Sequence, residues 1–191
     1  MKKALAFVAM VALAGSAVAA EEGAIQLKVY VDGMTCPTGC APKATKNLQS
    51  VAGVKEVKLA DFDSGAFAVS FDPAKQVGVN AFNKALDGFK IKKIEATISG
   101  TVAIKDKATV LTTSTGQTYQ LAVGAPMDSC GDDAAKKDAP KEESPLLKAL
   151  RTKVEGLAKD GKAVKVTGTL AECCNVEIVV ATIDEIAKGA N

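Results

Sequence analysis

Cys36 and Cys40 stand with three residues between them in the stretch Gly33-Met34-Thr35-Cys36-Pro37-Thr38-Gly39-Cys40. The chain has no histidine, so a site for a soft metal has to be built from sulfur. Two close thiolates suit Cu(I) first, then Hg(II) or Zn(II), whereas hard ions call for oxygen ligands. The same pair can instead close as a disulfide or cycle by thiol–disulfide exchange. Two metal–sulfur bonds of about 2.3 Å put the sulfurs about 4.6 Å apart if collinear. Positions i and i+4 of a helix hold their Cβ atoms about 5–6 Å apart, so the spacing admits chelation. Gly39 lets the loop adjust the second thiol. Cys40 falls just before or in the first turn of a helix, whose N-terminus favours thiolate. Met34 offers a thioether, but its flexible apolar side chain suits the core under the loop.

Three further cysteines, Cys130, Cys173 and Cys174, make the count odd, so a closed disulfide framework cannot use every thiol. They read as a second, three-thiol metal site, or as one disulfide from Cys130 to either neighbour with a thiol left over. Cys173 and Cys174 are expected in or beside the turn between the last two strands. Adjacent strand residues point to opposite faces, so both can meet one ligand only where the chain turns.

The elements that must position these thiols follow from periodicity. Ile25, Leu27, Val29 and Val31 alternate as a strand with one buried face. Ala41, Ala44, Leu48 and Val51 recur at helical spacing, with Pro42 in the first turn and Gly53 at the end. Val57 and Leu59, then Phe67, Val69 and Phe71, form a hairpin around Asp63-Ser64-Gly65. Asn80 is the expected N-cap of a second helix with Phe82, Ala85, Leu86 and Phe89 on one face. Ile94, Ala96 and Ile98 make a last strand. The order β-α-β-β-α-β is the split βαβ of ferredoxin-like folds.

Beyond it, Gly100 to Ile104, Thr109 to Thr113, and Tyr119 to Val123 read as strands. Gly131 to Ser144 is a mixed-charge stretch read as a mobile surface insertion. Pro145 opens a helix with Leu146, Leu147, Leu150, Val154 and Leu157 on one face. Strands through Val164 and Val166, and through Val176, Ile178 and Val180, close the pattern. Three strands, a helix and two strands fit a small OB-like β-barrel. The fold class is therefore α+β, with a ferredoxin-like βαββαβ domain at 24–97 and an OB-like barrel at 98–188 that carries the insertion at 131–144.

The first of these units resembles the heavy-metal-associated domain, the module of copper chaperones, periplasmic mercury-binding proteins and the N-terminal tails of metal-pumping ATPases. The resemblance rests on Val31-Asp32-Gly33-Met34-Thr35-Cys36, Val51-Ala52-Gly53-Val54, Phe71-Asp72-Pro73 and Lys84-Ala85-Leu86-Asp87-Gly88-Phe89-Lys90. It covers roughly residues 25 to 98. It implies that Met34 packs under the loop, that Phe89 and Lys90 lie beside it, and that the ion passes to or from a metal-donor or metal-acceptor protein. The family usually places two residues between its cysteines; here there are three. A weaker resemblance to small exported bacterial OB-type domains rests on Gly100-Thr101-Val102, Gly116-Gln117-Thr118-Tyr119 and residues 164–169, and names no function.

Lys2 and Lys3, the apolar run Ala4 to Ala14 and the small residues at 17–20 read as a cleaved signal peptide over residues 1–20, which points to a periplasmic or secreted protein. Removing the two lysines cancels the formal charge of +2, leaving no basic field for nucleic acid or anionic lipid. No membrane association is expected after cleavage. Trp is absent, and no base-stacking platform is visible. Without histidine there is no Ser-His-Asp triad or Cys-His pair, and no P-loop occurs, so an enzyme is not expected. The reading is an exported protein that captures a soft thiophilic ion through Cys36 and Cys40, for transfer or sequestration. The alternatives are a periplasmic thiol–disulfide protein and an interaction module with structural disulfides.

Overall fold

Alternation of apolar and polar residues builds most of this protein, because each strand buries one face. The computed structural model describes residues 25–124, 144–172 and 175–186. Within them the order is β1 (Ile25–Asp32), α1 (Cys40–Gln49), β2 (Val54–Asp61), β3 (Ala66–Phe71), α2 (Val79–Ala85), β4 (Lys90–Lys105), β5 (Ala108–Thr112), β6 (Thr118–Ala122), α3 (Pro145–Lys159), β7 (Ala163–Glu172) and β8 (Val176–Glu185).

The first part is the expected βαββαβ unit. Its strands lie in the order β2-β3-β1-β4, all antiparallel. In β1 the residues Ile25, Leu27, Val29 and Val31 are buried while Gln26, Lys28 and Asp32 face out. Ala41, Ala44 and Leu48 of α1, Phe67, Val69 and Phe71 of β3, and Phe82 and Leu86 around α2 complete the apolar layer between sheet and helices.

The second part is a closed five-stranded barrel. Strands β4, β5, β6, β8 and β7 follow one another around it, and β4 pairs with β7 to close the ring. All pairings are antiparallel except β6 with β8. Helix α3 falls between β6 and β7 in the chain. Ser144 caps it by accepting from Leu147 N–H at 3.3 Å, and Pro145 takes its first position.

Several local expectations are corrected. The two strands expected at Ile94–Ile98 and Gly100–Ile104 are one strand, β4. Gly100 does not break it: a Cβ there would stand 2.4 Å from Thr112 O, so glycine admits a close backbone approach rather than a turn. A boundary at residue 97 or 98 falls inside β4. Helix α2 is capped by Gly78, not Asn80, and ends at Ala85; Phe89 follows Gly88 (φ +80°) and belongs to the turn into β4. Leu59 is 41 % exposed, although Val57, two residues before it on the same face of β2, is buried. Leu146 is 83 % exposed; of the expected face Val154 is buried and Leu150 and Leu157 pack on the core, and Ala158 is buried as well.

The β4–β5 turn holds Asp106 (φ +48°) and Lys107 (φ +69°) in the left-handed region, the geometry of a two-residue hairpin turn that favours glycine at its second position. Lys107→Gly is expected to raise stability by about 1 kcal/mol, read as a higher midpoint in urea.

Both parts share one apolar core. The connection between β3 and α2 is pinned to the barrel. Val77 N–H donates to the buried Tyr119 hydroxyl at 3.2 Å, Gln117 Nε2 donates to Ala74 O at 2.9 Å, and Gln76 Nε2 donates to Thr118 O at 3.1 Å. The Thr115 hydroxyl donates to Pro73 O, and Asn80 N–H donates to Glu172 Oε2 at 2.9 Å.

Candidate metal centre

The pairing registers give the first unit two poles. Ile25 faces Phe71 and Gln26 faces Thr97 at one pole; Tyr30 faces Ala66 and Asp32 faces Lys90 at the other. The cysteine loop leaves β1 at the second pole, and the barrel is pinned to the first. The loop is therefore presented away from the barrel.

At that pole three turns converge. Gly65 O accepts from Val31 N–H at 2.9 Å. A Cβ on Gly65 (φ +67°) would stand 2.1 Å from Val31 O and 3.5 Å from Met34 Cε. Met34 thus reaches the base of the β2–β3 turn and packs on the core, as the resemblance implied. Phe89 also packs on the core. Its Cδ1 lies 3.9 Å from the position a Cβ on Gly33 would take, and Lys43 Nζ sits 5.7 Å from its ring centroid. This ring and lysine flank the loop.

Cys40 is the first residue of α1, with Gly39 as N-cap. Its N–H donates to Cys36 O at 3.1 Å, a helical-turn contact that brings the side chains together. The Cys36 thiol donates to Cys40 Sγ at 3.5 Å, and the Thr35 hydroxyl lies 3.7 Å from the same sulfur. Both cysteines are free thiols and half-buried. Gly39 has a role that conformational freedom alone does not describe. A Cβ there would press on Cys36 Sγ at 3.1 Å, so the bare Cα makes room for that sulfur to fold back toward Cys40. Thr35 was not singled out from sequence, because a hydroxyl beside a cysteine carries no spacing signal.

The Cys40 thiol is lowered from 9.0 to about 7. Hydrogen bonding by the Thr35 backbone contributes most, then the Cys36 backbone, then the Thr35 and Cys36 side chains. Thiolate was expected from the helix N-terminus; the direction agrees, and the preceding loop supplies the cause. Because the folded value lies below the free thiol's, ionisation favours the fold above pH 9 and that contribution fades as pH falls toward 7. Alkylation of Cys40 by iodoacetamide is expected to titrate with a midpoint near 7. In Cys36→Ser the midpoint should rise only slightly, since the largest cause remains. Peptide mapping of the alkylated cysteine against pH checks both.

Cys130, Cys173 and Cys174 lie outside the described residues, as does all of the insertion expected at 131–144 except Ser144, which is the N-cap of α3. Among the described residues no group of three His, Cys, Asp or Glu side chains stands ready to hold a metal, and no helix is long and apolar enough to cross a membrane. Two thiolates with an exposed approach can bind a thiophilic ion and hand it to competing sulfur ligands.

No curated protein matches the chain. The family model of the heavy-metal-associated domain matches residues 28–102, which span β1 from its fourth residue, the cysteine loop, both helices of the first unit and β4 as far as Val102. With the βαββαβ topology and two adjacent thiols on the β1–α1 loop, residues 28–102 are a heavy-metal-associated domain, a module that binds heavy-metal ions.

Proposed function

We propose that this protein captures a soft thiophilic ion, Cu(I) before Hg(II) or Zn(II), between Cys36 and Cys40, and passes it to or from a partner protein outside the cytosol. The observation that carries this reading is the pair of free, half-buried sulfurs 3.5 Å apart on a loop that the barrel leaves open. Sulfur is the donor these ions prefer, and an ion within reach of solvent can move by stepwise replacement of one thiolate with another. The basic, apolar and small-residue segments of residues 1–20 support export. The five-stranded barrel, with its helix between third and fourth strands, fits an OB-type module, for which we propose a supporting rather than nucleic-acid-binding role.

Binding replaces protons. Below about pH 7 Cys40 carries its proton and must lose it to the incoming ion. Above that pH the proton is already gone, so proton release per ion falls by one. The test is anaerobic titration of reduced protein with Cu(I) against a chromophoric Cu(I) chelator. Removal of Cu(I) from the chelator, weakening as pH falls below 7, supports the reading; no competition at any pH refutes it.

A second reading keeps the same thiols as a redox pair. A lowered thiol in contact with a second sulfur is also what thiol–disulfide exchange needs. Two masses of protein isolated without reductant separate the two: a metal-laden intact species supports capture, and loss of two hydrogens from the single tryptic peptide 29–43, which carries both Cys36 and Cys40, supports redox.

A further inference from the structure

We propose that the Asp32–Gly33 pair at the root of the cysteine loop modifies itself: the Gly33 amide nitrogen closes on the Asp32 side-chain carboxyl to give a succinimide, which water opens to isoaspartate. The modification stands apart from the reading of Cys36 and Cys40 as a metal site; its consequence for ion capture rests on that reading.

The chain carries three Asp–Gly pairs, Asp32–Gly33, Asp87–Gly88 and Asp160–Gly161. Their glycines share the left-handed backbone, at φ +88°, +80° and +61°, so the glycine conformation does not set one pair apart. The carboxylate does. Gly33 N–H donates to Asp32 Oδ1 at 3.0 Å, which places the attacking nitrogen beside the carboxyl it must join. The other two pairs are engaged differently. Gly161 N–H donates to Ala158 O at 3.4 Å, and Asp87 N–H donates to Ala85 O at 3.0 Å.

Held proximity of this kind removes the search that would otherwise precede ring closure. Lys92 Nζ, 3.4 Å from the same Asp32 oxygen, helps to keep the carboxyl in place. Gly33 has no side chain to shield its nitrogen; where a Cβ would stand, the nearest atoms are Gly88 O and Phe89 Cδ1, both at 3.9 Å. Asp32 is the last residue of β1 and its last rung on β4, opposite Lys90. The peptide that must rotate therefore lies at the end of the ladder. Both residues are exposed, so solvent water reaches the ring.

The chemistry balances with water alone. The bond from Gly33 N to Asp32 Cγ forms, and the carboxyl hydroxyl leaves as water with the amide proton. Water then returns. Addition at Cγ restores aspartate; addition at the Asp32 backbone carbonyl leaves the chain running through Cβ and Cγ, with the α-carboxylate free. The main chain is then one methylene longer, between the sheet-bound Val31 and Met34, which packs on the core under the loop. Cys36 follows directly, and its approach to Cys40 is disturbed.

The experiment ages reduced full-length protein anaerobically at neutral pH and physiological temperature, folded and in urea. Isoaspartate is mapped peptide by peptide, with a protein isoaspartyl methyltransferase and S-adenosylmethionine as the probe. In the folded protein, isoaspartate at Asp32 is expected to accumulate at least about tenfold faster than at Asp87 or Asp160, preceded by a peptide short of one water. In urea the three rates should converge. Asp32→Glu, whose longer side chain would have to close a larger ring, should lose the signal from peptide 29–43. Ageing at Asp32 no faster than at the other two sites in the folded protein overturns the proposal; an excess that persists in urea overturns the role given to the fold. Fresh protein, aged protein and equally aged Asp32→Glu are then competed against the Cu(I) chelator. Capture that falls in proportion to isoaspartate, and holds in the variant, supports the consequence; capture undiminished by ageing overturns it and leaves the modification standing. Fresh protein that captures no Cu(I) removes the metal reading and with it the consequence, while the peptide map still decides the modification.

Discussion

Cys36→Ser is expected to abolish Cu(I) capture at the β1–α1 loop, with affinity there falling at least about a hundredfold. A four-ligand zinc site contributes about 10–16 kcal/mol, or about 3 kcal/mol per ligand, and 2.8 kcal/mol is already about a hundredfold in Kd. Serine keeps the size but not the soft donor. It also leaves Cys40 lowered, because the Thr35 backbone is the main cause. The variant should therefore stay folded and nucleophilic at residue 40 while failing to hold metal. Chelator competition measures the first outcome and alkylation the second. Retention of tight Cu(I) binding, measured with Cys130, Cys173 and Cys174 also changed to serine, would remove Cys36 as a ligand.

The largest expected effect on stability lies far from the thiols. Gly168 of β7 faces Ala96 of β4 on one side and Val180 of β8 on the other, at an irregularity in the β7–β8 register. A Cβ there would stand 2.3 Å from Val179 O and 2.7 Å from Ile178 Cγ2. Backbone cannot retreat as a flexible side chain can, so Gly168→Ala must shift β7 against β8. Overpacking of this kind costs about 3 kcal/mol, a large share of a typical domain's stability. Gly156 in α3 is the control. A Cβ there meets nothing within 4 Å, so Gly156→Ala should stabilise the protein by up to about 1 kcal/mol through helix propensity. Paired urea denaturations read both; equal effects from the two alanines would contradict the steric account.

The first unit was legible because its signals are local. One buried face in β1 forces alternation, and Ala41, Ala44 and Leu48 repeat at the helical period, so type and order of elements follow from side-chain burial. The juxtaposition of Cys36 and Cys40 was legible for the same reason, since a helical turn spans their spacing. The departures arise where distant parts of the chain decide. Gly100 resembles punctuation in the sequence, yet Thr112 O packs where its side chain would be, and the strand runs on. Leu59 fits the alternation of a half-buried strand, but among the described residues β2 is the outermost strand of its sheet and Leu59 is left exposed. Leu146 fits the apolar stripe of α3 and lies outside the face that meets the barrel. The loop's hold on Cys40 depends on how Thr35 folds back, which no spacing rule encodes.

The double engagement of β4 has a mechanical consequence. Residues Glu95, Ala96 and Thr97 pair with β1 on one side and with β7 on the other, so the same three backbone units are interior rungs of both halves. A protease nick or an engineered split at this point would orphan hydrogen bonds in the metal-binding half and unseal the ring in a single event. Heating should accordingly give one calorimetric transition, with the ion-binding end and the ring losing order together.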